Sequence, residues 1–497
     1  MKTVKSLVLG SAAALLAMSA AQAADLPIKA KAVEYVKVCS LYGAGFYYIP
    51  GTDTCIKLGG YLRAETAFAT NSDFNGAFSG SGGARNRLSN NYTSRARQDL
   101  NIDTRTATEY GVVRTFADLT FSWTSGGFAG SAPSAYGAAD NGIAGGSLGV
   151  YYAFIQFAGF TMGKAVSQFD TPWTNYPGNN FDGLAGGGGT VTGVNQFSYT
   201  ADFGSGITAS ISAQDATAYY QNNLWNTTGN TVANFVTGVY GSQGYGGNVA
   251  PDIVGAVRVD QAWGLFQASF AAHDNHTAYY GTTEVTGHPA DKWGWAAQLA
   301  LSIKNIPTGP GDTINIQGVY TNGASRYNFQ SLLPTTYAMY GGTGNPLAYQ
   351  SLAVAGIADS VYATGGEQQL TTTYGFRGGY THNWNPAWNT AIYGSWAAVR
   401  YNDTAKGLIC SGAVLAAFGA GSTCNPNFDL ATVGLITRWT PVKNLTFSAD
   451  FAYTWLDQKS SGTIASPGNA AAAKPAAVYE LKDQQSAVLL LRAQRNF

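Results

Sequence analysis

The stretch CIKLGGYLRAETAFA, residues 55–69, decides the fold. Lys57, Gly59, Tyr61, Arg63 and Glu65 share one parity, whereas Ile56, Leu58, Leu62 and Phe68 share the other. Successive side chains of an extended chain point to opposite faces, so this segment reads as a strand with one wetted, charged face and one apolar face. The pattern recurs in LTFSADFAYTW (445–455), where Leu445, Phe447, Phe451, Tyr453 and Trp455 oppose Thr446, Ser448, Asp450 and Thr454. In KWGWAAQLALSIK (292–304), Trp293, Trp295, Leu299, Leu301 and Ile303 oppose Gln298, Ser302 and Lys304.

Working outward, the same period predicts strands over 55–69, 93–106, 111–124, 148–157, 160–168, 193–202, 206–214, 253–262, 264–274, 292–304, 312–322, 371–384, 388–401, 428–440, 444–456 and 483–497. Alternation is poorest in 148–157 and 160–168. Short connections (202–206, 262–264, 385–387, 441–444) alternate strictly with long ones (70–92, 169–192, 215–252, 323–370, 402–427, 457–482) that are rich in Gly, Asn, Ser and Thr. Outer-membrane barrels show this asymmetry, with short periplasmic turns and long outer loops. An even count puts both termini on one side, and sixteen strands leave room for an aqueous channel. The expected fold is therefore all-β, a sixteen-stranded antiparallel transmembrane barrel over residues 55–497, closed by a terminal strand that ends in Phe497.

The N-terminus agrees with export. Lys2 and Lys5 precede the apolar run Leu7–Ala21, and Ala21-Gln22-Ala23 forms a small-residue cleavage site, so residues 1–23 read as a signal peptide. Residues 24–54 then read as a periplasmic leader. Charged residues are 11% of the chain, against about 25% in an ordinary soluble domain. Losing Lys2 and Lys5 leaves 26 basic and 28 acidic side chains, a formal charge of −2 that speaks against nucleic-acid binding. In an exported chain the four cysteines favour disulfides. Of three pairings the two local ones are expected, Cys39 with Cys55 and Cys410 with Cys424, because each pair lies at one end of the sheet. Each would contribute about 3 kcal/mol in the chain-entropy account, and neither would touch the pore.

Residues 33–65, VEYVKVCSLYGAGFYYIPGTDTCIKLGGYLRAE, also resemble the N-terminal signature of the alphaproteobacterial general porins. The resemblance continues through FADLTFSWTSGG (116–127), LGVYYAFIQFAGFTMGKAVSQFD (148–170) and the terminal LRAQRNF. It implies a homotrimer of barrels in the outer membrane, in contact with its lipid and lipopolysaccharide. Insertion would run through the barrel-assembly machinery reading the C-terminal strand, and the third outer loop would fold inward. In this chain that loop is residues 169–190, whose only charges are Asp170 and Asp182.

A passive diffusion channel for ions and small hydrophilic solutes follows as the expected function, with no cofactor. Strand parity turns nineteen charged residues inward, among them Arg63, Arg95, Arg97, Asp99, Asp103, Arg105, Arg114 and Asp118. The sharpest expectation is a constriction in which Asp170 and Asp182 face a basic wall of Arg63, Arg95 and Arg97, since walls of fixed charge are how pores select. The glycine run 183–189 lacks the Lys-Ser or Lys-Thr of a phosphate-cradling loop and reads as flexible. His273 and His276, three apart on an expected solvated rim, make a poor metal site even with Asp274 nearby. No triad can be assembled around His288 or His382, which disfavours a barrel hydrolase. A substrate-specific channel is the alternative reading, and an adhesin a weaker one; saturable block by a ligand separates a specific channel from a general one.

Overall fold

The computed structural model describes residues 37–69, 80–125, 147–173, 184–188, 192–330 and 333–497. The expected signal peptide lies outside them. Sixteen strands form the barrel wall: β1 (Cys55–Ala69), β2 (Tyr92–Thr108), β3 (Gly111–Ser125), β4 (Ser147–Phe157), β5 (Phe160–Ala165), β6 (Val194–Asp202), β7 (Ile207–Gln214) and β8 (Asp252–Gln261) lead to β9 (Gly264–Asn275), β10 (Lys292–Lys304), β11 (Thr313–Asn322), β12 (Thr372–Asn385), β13 (Trp388–Arg400), β14 (Phe428–Val442), β15 (Leu445–Gln458) and β16 (Gln484–Asn496). Each pairs antiparallel with its neighbours in sequence, and β16 pairs with β1 from Tyr61↔Asn496 to Ala69↔Val488, which closes the ring. Closure leaves no unpaired edge in the hydrocarbon. The backbone N–H of Phe497 completes it by donating to Gly60 O at 3.1 Å.

Burial follows parity. Gln298 is 2% exposed and Leu299, its neighbour, 59% exposed on the outer face. Gly60, at φ 147°, is required where β1 crosses β2, because a Cβ there would stand 2.1 Å from Asp99 O. The weak alternation in 148–157 has a cause in the register, which shifts between Asp118 and Leu119 on β3 and inserts an extra residue at Tyr151 on β4. The strand expected over 160–168 ends at Ala165, where the chain leaves the wall for the lumen.

The turn-side connections are tight, with Ala158, Ser205, Asn305 and Asn444 at positive φ. On the other side the described parts of the connections 215–252, 323–370, 402–427 and 457–482 are folded. Segments Thr336–Gly341, Ser351–Gly356, Ala477–Leu481 and Gly462–Ser466 form one four-stranded sheet; Ser242–Gln243, Asn223–Asn226, Ala358–Tyr362 and Gln369–Leu370 form a second. Their apolar faces share a core in which Trp225, Phe235, Tyr240, Tyr337 and Met339 meet Ala397, Val399, Phe428, Leu430 and Leu456 at the inner tops of β13 to β15. The loops thus make a cap whose core is continuous with one sector of the barrel mouth. A disulfide joins Cys410 to Cys424 within it.

Cys39 is bonded to Cys55. Cys55 has the parity of Lys57 and Arg63, so this disulfide sits on the inner side of the wall, where both cysteines are fully buried. The leader forms a small hairpin, with Cys39 N–H donating to Phe46 O and Tyr48 N–H to Lys37 O, and Tyr47–Tyr48 adds to β1. Phe46 is buried with both cysteines. Leader residues therefore line the periplasmic mouth.

Candidate pore wall and constriction

The charged wall is organised around Glu65, which is 4% exposed and sits between Arg95 on β2 and Arg492 on β16, its register partners on either side. It is ion-paired to both, with Arg492 Nε 2.6 Å from Oε2. Arg95 is therefore neutralised and does not join a free basic wall as expected. Arg63 and Arg97, directly opposite each other one pair lower, make no ion pair among the described residues. Arg63 Nε donates to Gln494 Oε1 and Arg97 Nε to Ser122 Oγ, both at 2.9 Å. Each guanidinium also lies over an aromatic ring, Arg63 at 4.4 Å from the centroid of Tyr61 and Arg97 at 5.4 Å from that of Tyr151. Asp99 is buried and bonded by Asn101, with Asp118 its neighbour on β3.

Arg105 and Arg114 stand apart from this group. Eight residues separate Arg97 from Arg105, about 26 Å along β2 at a strand's rise. The two share Asp103, with contacts of 3.0 Å from each Nη2 to Oδ2. The residues grouped by sequence into one constriction form two stations, one at mid-height and one near the turns.

The connection after β5 does turn into the lumen, and an unforeseen set of residues holds it. Gln267 on β9 and Gln298 on β10 donate to Phe169 O, and Gln267 also reaches Asp170 O at 2.9 Å. Gly188 N–H donates to Gln298 Oε1 at 3.0 Å, and Gly188 O accepts from Gln317 on β11 (2.7 Å) and Arg377 on β12 (2.5 Å). Leu184 inserts among Ala391, Tyr393 and Ile436. Residues 184–188 are thus clamped, not flexible. The glycines serve close approach, since a Cβ at Gly187 would stand 2.1 Å from Gln317 Nε2. Parity already turned Gln298 and Arg377 inward; their role needed the register that sets them side by side. Strands β9 to β12 lie about half a turn of the sixteen-strand ring from β1 and β2, so the loop is anchored across the lumen from Arg63 and Arg97.

Asp170 is not where the sequence put it. It is 0% exposed and accepts hydrogen bonds from the Tyr220 hydroxyl at 3.1 Å to both oxygens, so it presents no charge to the lumen. The burial of Tyr220 and the charge of Asp170 beside it push the phenol well above its ordinary pKa. Asp182 lies outside the described residues. His273 is likewise not on a solvated rim: it is 0% exposed beneath the cap, with Nδ1 2.8 Å from Asp252 of β8 and Nε2 3.7 Å from Asp359 of the cap. Tyr327 donates to the other oxygen of Asp252 at 2.6 Å and stacks on Tyr220 at 4.3 Å. His276 turns away to Asp291. One network thus runs from the wall to the cap and to the inward connection after β5.

The profile of the porin subfamily matches residues 25–490, which takes in almost all of this closed barrel. The chain belongs to that family. This porin is 34% identical over 275 residues to the porin Omp2b of Brucella suis biovar 1, covering 55% of this chain and 66% of that one. It is 34% identical over 279 residues to Omp2b of Brucella canis, with the same coverage. The chain therefore spans just under two thirds of the length of the curated relatives it matches. The solved outer membrane channel DcaP of Acinetobacter baumannii shares the fold, with a TM-score of 0.56, 13% identity, and coverage of 90% of this chain and 99% of that one.

Proposed function

We propose that this porin is a non-catalytic, water-filled diffusion channel of the outer membrane for ions and small hydrophilic solutes, and that its narrow zone favours anions. The observation that carries the reading is the pair Arg63 and Arg97, two guanidiniums without acidic partners among the described residues, facing a loop anchored on the opposite wall. Asp170 no longer counts as a facing charge; Asp99, with Asp118 its neighbour, lies on the same wall without an ion pair to either guanidinium, and we take the two arginines to set the sign of the field there. Residues 1–23 direct export and are cleaved before Ala24, and N-terminal sequencing of the mature protein tests this. Liposome swelling tests the channel itself. Uncharged sugars should enter at rates that fall smoothly with size, whereas vesicles that do not swell in any of them would refute it.

The cap favours a second reading, a channel restricted to particular solutes, because its core closes part of the mouth. Rates that saturate with one solute would support that reading over the general one.

The homotrimer rests on family resemblance and on one feature of the outer face. A shallow groove of about 800 Å³ crosses β16, β1 and β2, floored by Ala64, Thr66, Ala96 and Ala493 and edged by Trp123 and Trp439. Small residues flanked by aromatics let two walls approach closely, as in other membrane contacts. Ala96→Trp should leave the barrel folded and shift its mass in detergent from trimer to monomer; a trimer that persists would place the contact elsewhere.

A further inference from the structure

The lower station has features that a bare pore wall does not need. Arg105 and Arg114 oppose each other in register on β2 and β3, and like charges so placed destabilise a sheet. Asp103 is the acidic group bonded to both, and Lys57 is its register partner on β1, so three cations surround one carboxylate. Arg105 spends Nε and Nη2 on Asp103, and its Nη1 makes no hydrogen bond among the described residues. Arg114 Nη1 donates to Gln156 at 3.0 Å. Beside these groups lies a lumen-facing cavity of about 580 Å³, within the usual size of a ligand site. Its polar side is Arg105, Arg114, Gln156 and Thr161, and its apolar side includes Val112 and the ring of Tyr42. Asp202 also lines it, with its carboxylate engaged by Gly204 N–H at 2.8 Å.

Tyr42 belongs to the leader, and the Cys39–Cys55 disulfide holds it there. The Arg105 guanidinium lies 5.7 Å from the Tyr42 centroid and 4.9 Å from that of Phe46. A guanidinium fork binds a carboxylate in two parallel hydrogen bonds, and a ring beside it accepts a flat apolar body.

From this arrangement we propose that the periplasmic mouth is a binding station for small solutes that carry a carboxylate on a planar apolar body, arene carboxylates being the simplest. The proposal rests on the channel reading and adds a site to it. Tyr42 and the Nη1–Nη2 edge of Arg105, which Asp103 leaves open, are the groups that bind, and Arg114, held by Asp103 and Gln156, adds positive charge beside them.

The experiment is single-channel recording of the full mature protein with benzoate, acetate or benzamide added at equal concentration. Benzoate should reduce the current saturably, and acetate and benzamide should be at least tenfold weaker, since one lacks the ring and the other the charge. Arg105→Gln/Arg114→Gln and Tyr42→Ala should each raise the half-blocking concentration of benzoate about tenfold. Arg105→Lys, which keeps the charge and loses the fork, should weaken block as well and serves where a harsher variant does not assemble. Equal block by benzoate and acetate, open channels that benzoate does not block, or block unchanged in Arg105→Lys would each overturn the station. A wild-type protein that forms no channel would overturn the channel reading, and the station with it.

Discussion

Glu65 holds the charge balance of the upper wall, because both of its oxygens are committed to arginines and its side chain is out of water. Glu65→Gln removes the carboxylate to which both Arg95 and Arg492 are ion-paired. Breaking a buried pair by removing one partner costs about 3–5 kcal/mol, and urea unfolding in a bilayer should show a loss of that order. Asp312, in the turn between β10 and β11, gives a pH dependence. Burial alone would raise its pKa, but hydrogen bonds from Asn383 N–H, His382, Thr308 and Tyr380 outweigh that and hold it below the usual carboxylate range. A carboxyl lowered in the folded state stabilises at neutral pH, and the gain is lost as pH falls through the ordinary range and below. Asp312→Asn should therefore be less stable than wild type at neutral pH, with a gap that narrows on acidification; a constant gap would contradict this. At this scale the sequence was legible wherever period 2 applied, so that Arg63, Glu65, Arg97 and Gln298 all fall on the face expected of them. It was not legible for Asp170, since a charge in a connection has no parity and its partner Tyr220 is fifty residues away.

Among the elements, the connection after β5 depends on a row of inward amides. Gln267, Gln298 and Gln317 on neighbouring strands, with Arg377 beyond, bond the carbonyls and N–H groups that a loop in the lumen would otherwise expose. Each such bond contributes about 1 kcal/mol net, and an orphaned partner costs more. Gln298→Ala/Gln317→Ala should release residues 184–188, giving a larger and noisier single-channel current with the barrel intact. A current indistinguishable from wild type would mean that the loop does not narrow the pore. The glycines misled at this scale because a Gly-rich run signals either freedom or close approach, and the wall opposite decides which. The strand boundaries were nearly all readable because turns, alternation and loop length point the same way. Only β5 departed, ending at Ala165 where the chain enters the lumen, whereas β4 matches within one residue although its bulge spoils the alternation.

Across the molecule, the cap is the part that period and composition did not reveal. Its strands are two to six residues long, two of its pairings are parallel, and they join loops distant in sequence. The buried cluster of His273, Asp252 and Asp359 ties it to the wall. His273→Ala removes the imidazole that stands between Asp252 of the wall and Asp359 of the cap, so the cap should loosen while the barrel persists, read as protease cleavage at Arg326. Cleavage no faster than in wild type would show that the apolar core alone holds the cap. The central claim is an open channel whose narrow zone is set by Arg63 and Arg97, and the reversal potential across a bilayer separating two concentrations of potassium chloride tests it most directly. Fixed charge in a pore selects by its field, which salt screens over about 8 Å at physiological strength. The wild type should give a potential of the sign expected for chloride preference, moving toward potassium in Arg63→Ala/Arg97→Ala and shrinking as total salt rises. A potential near zero, or one unchanged in the double variant, would contradict the account.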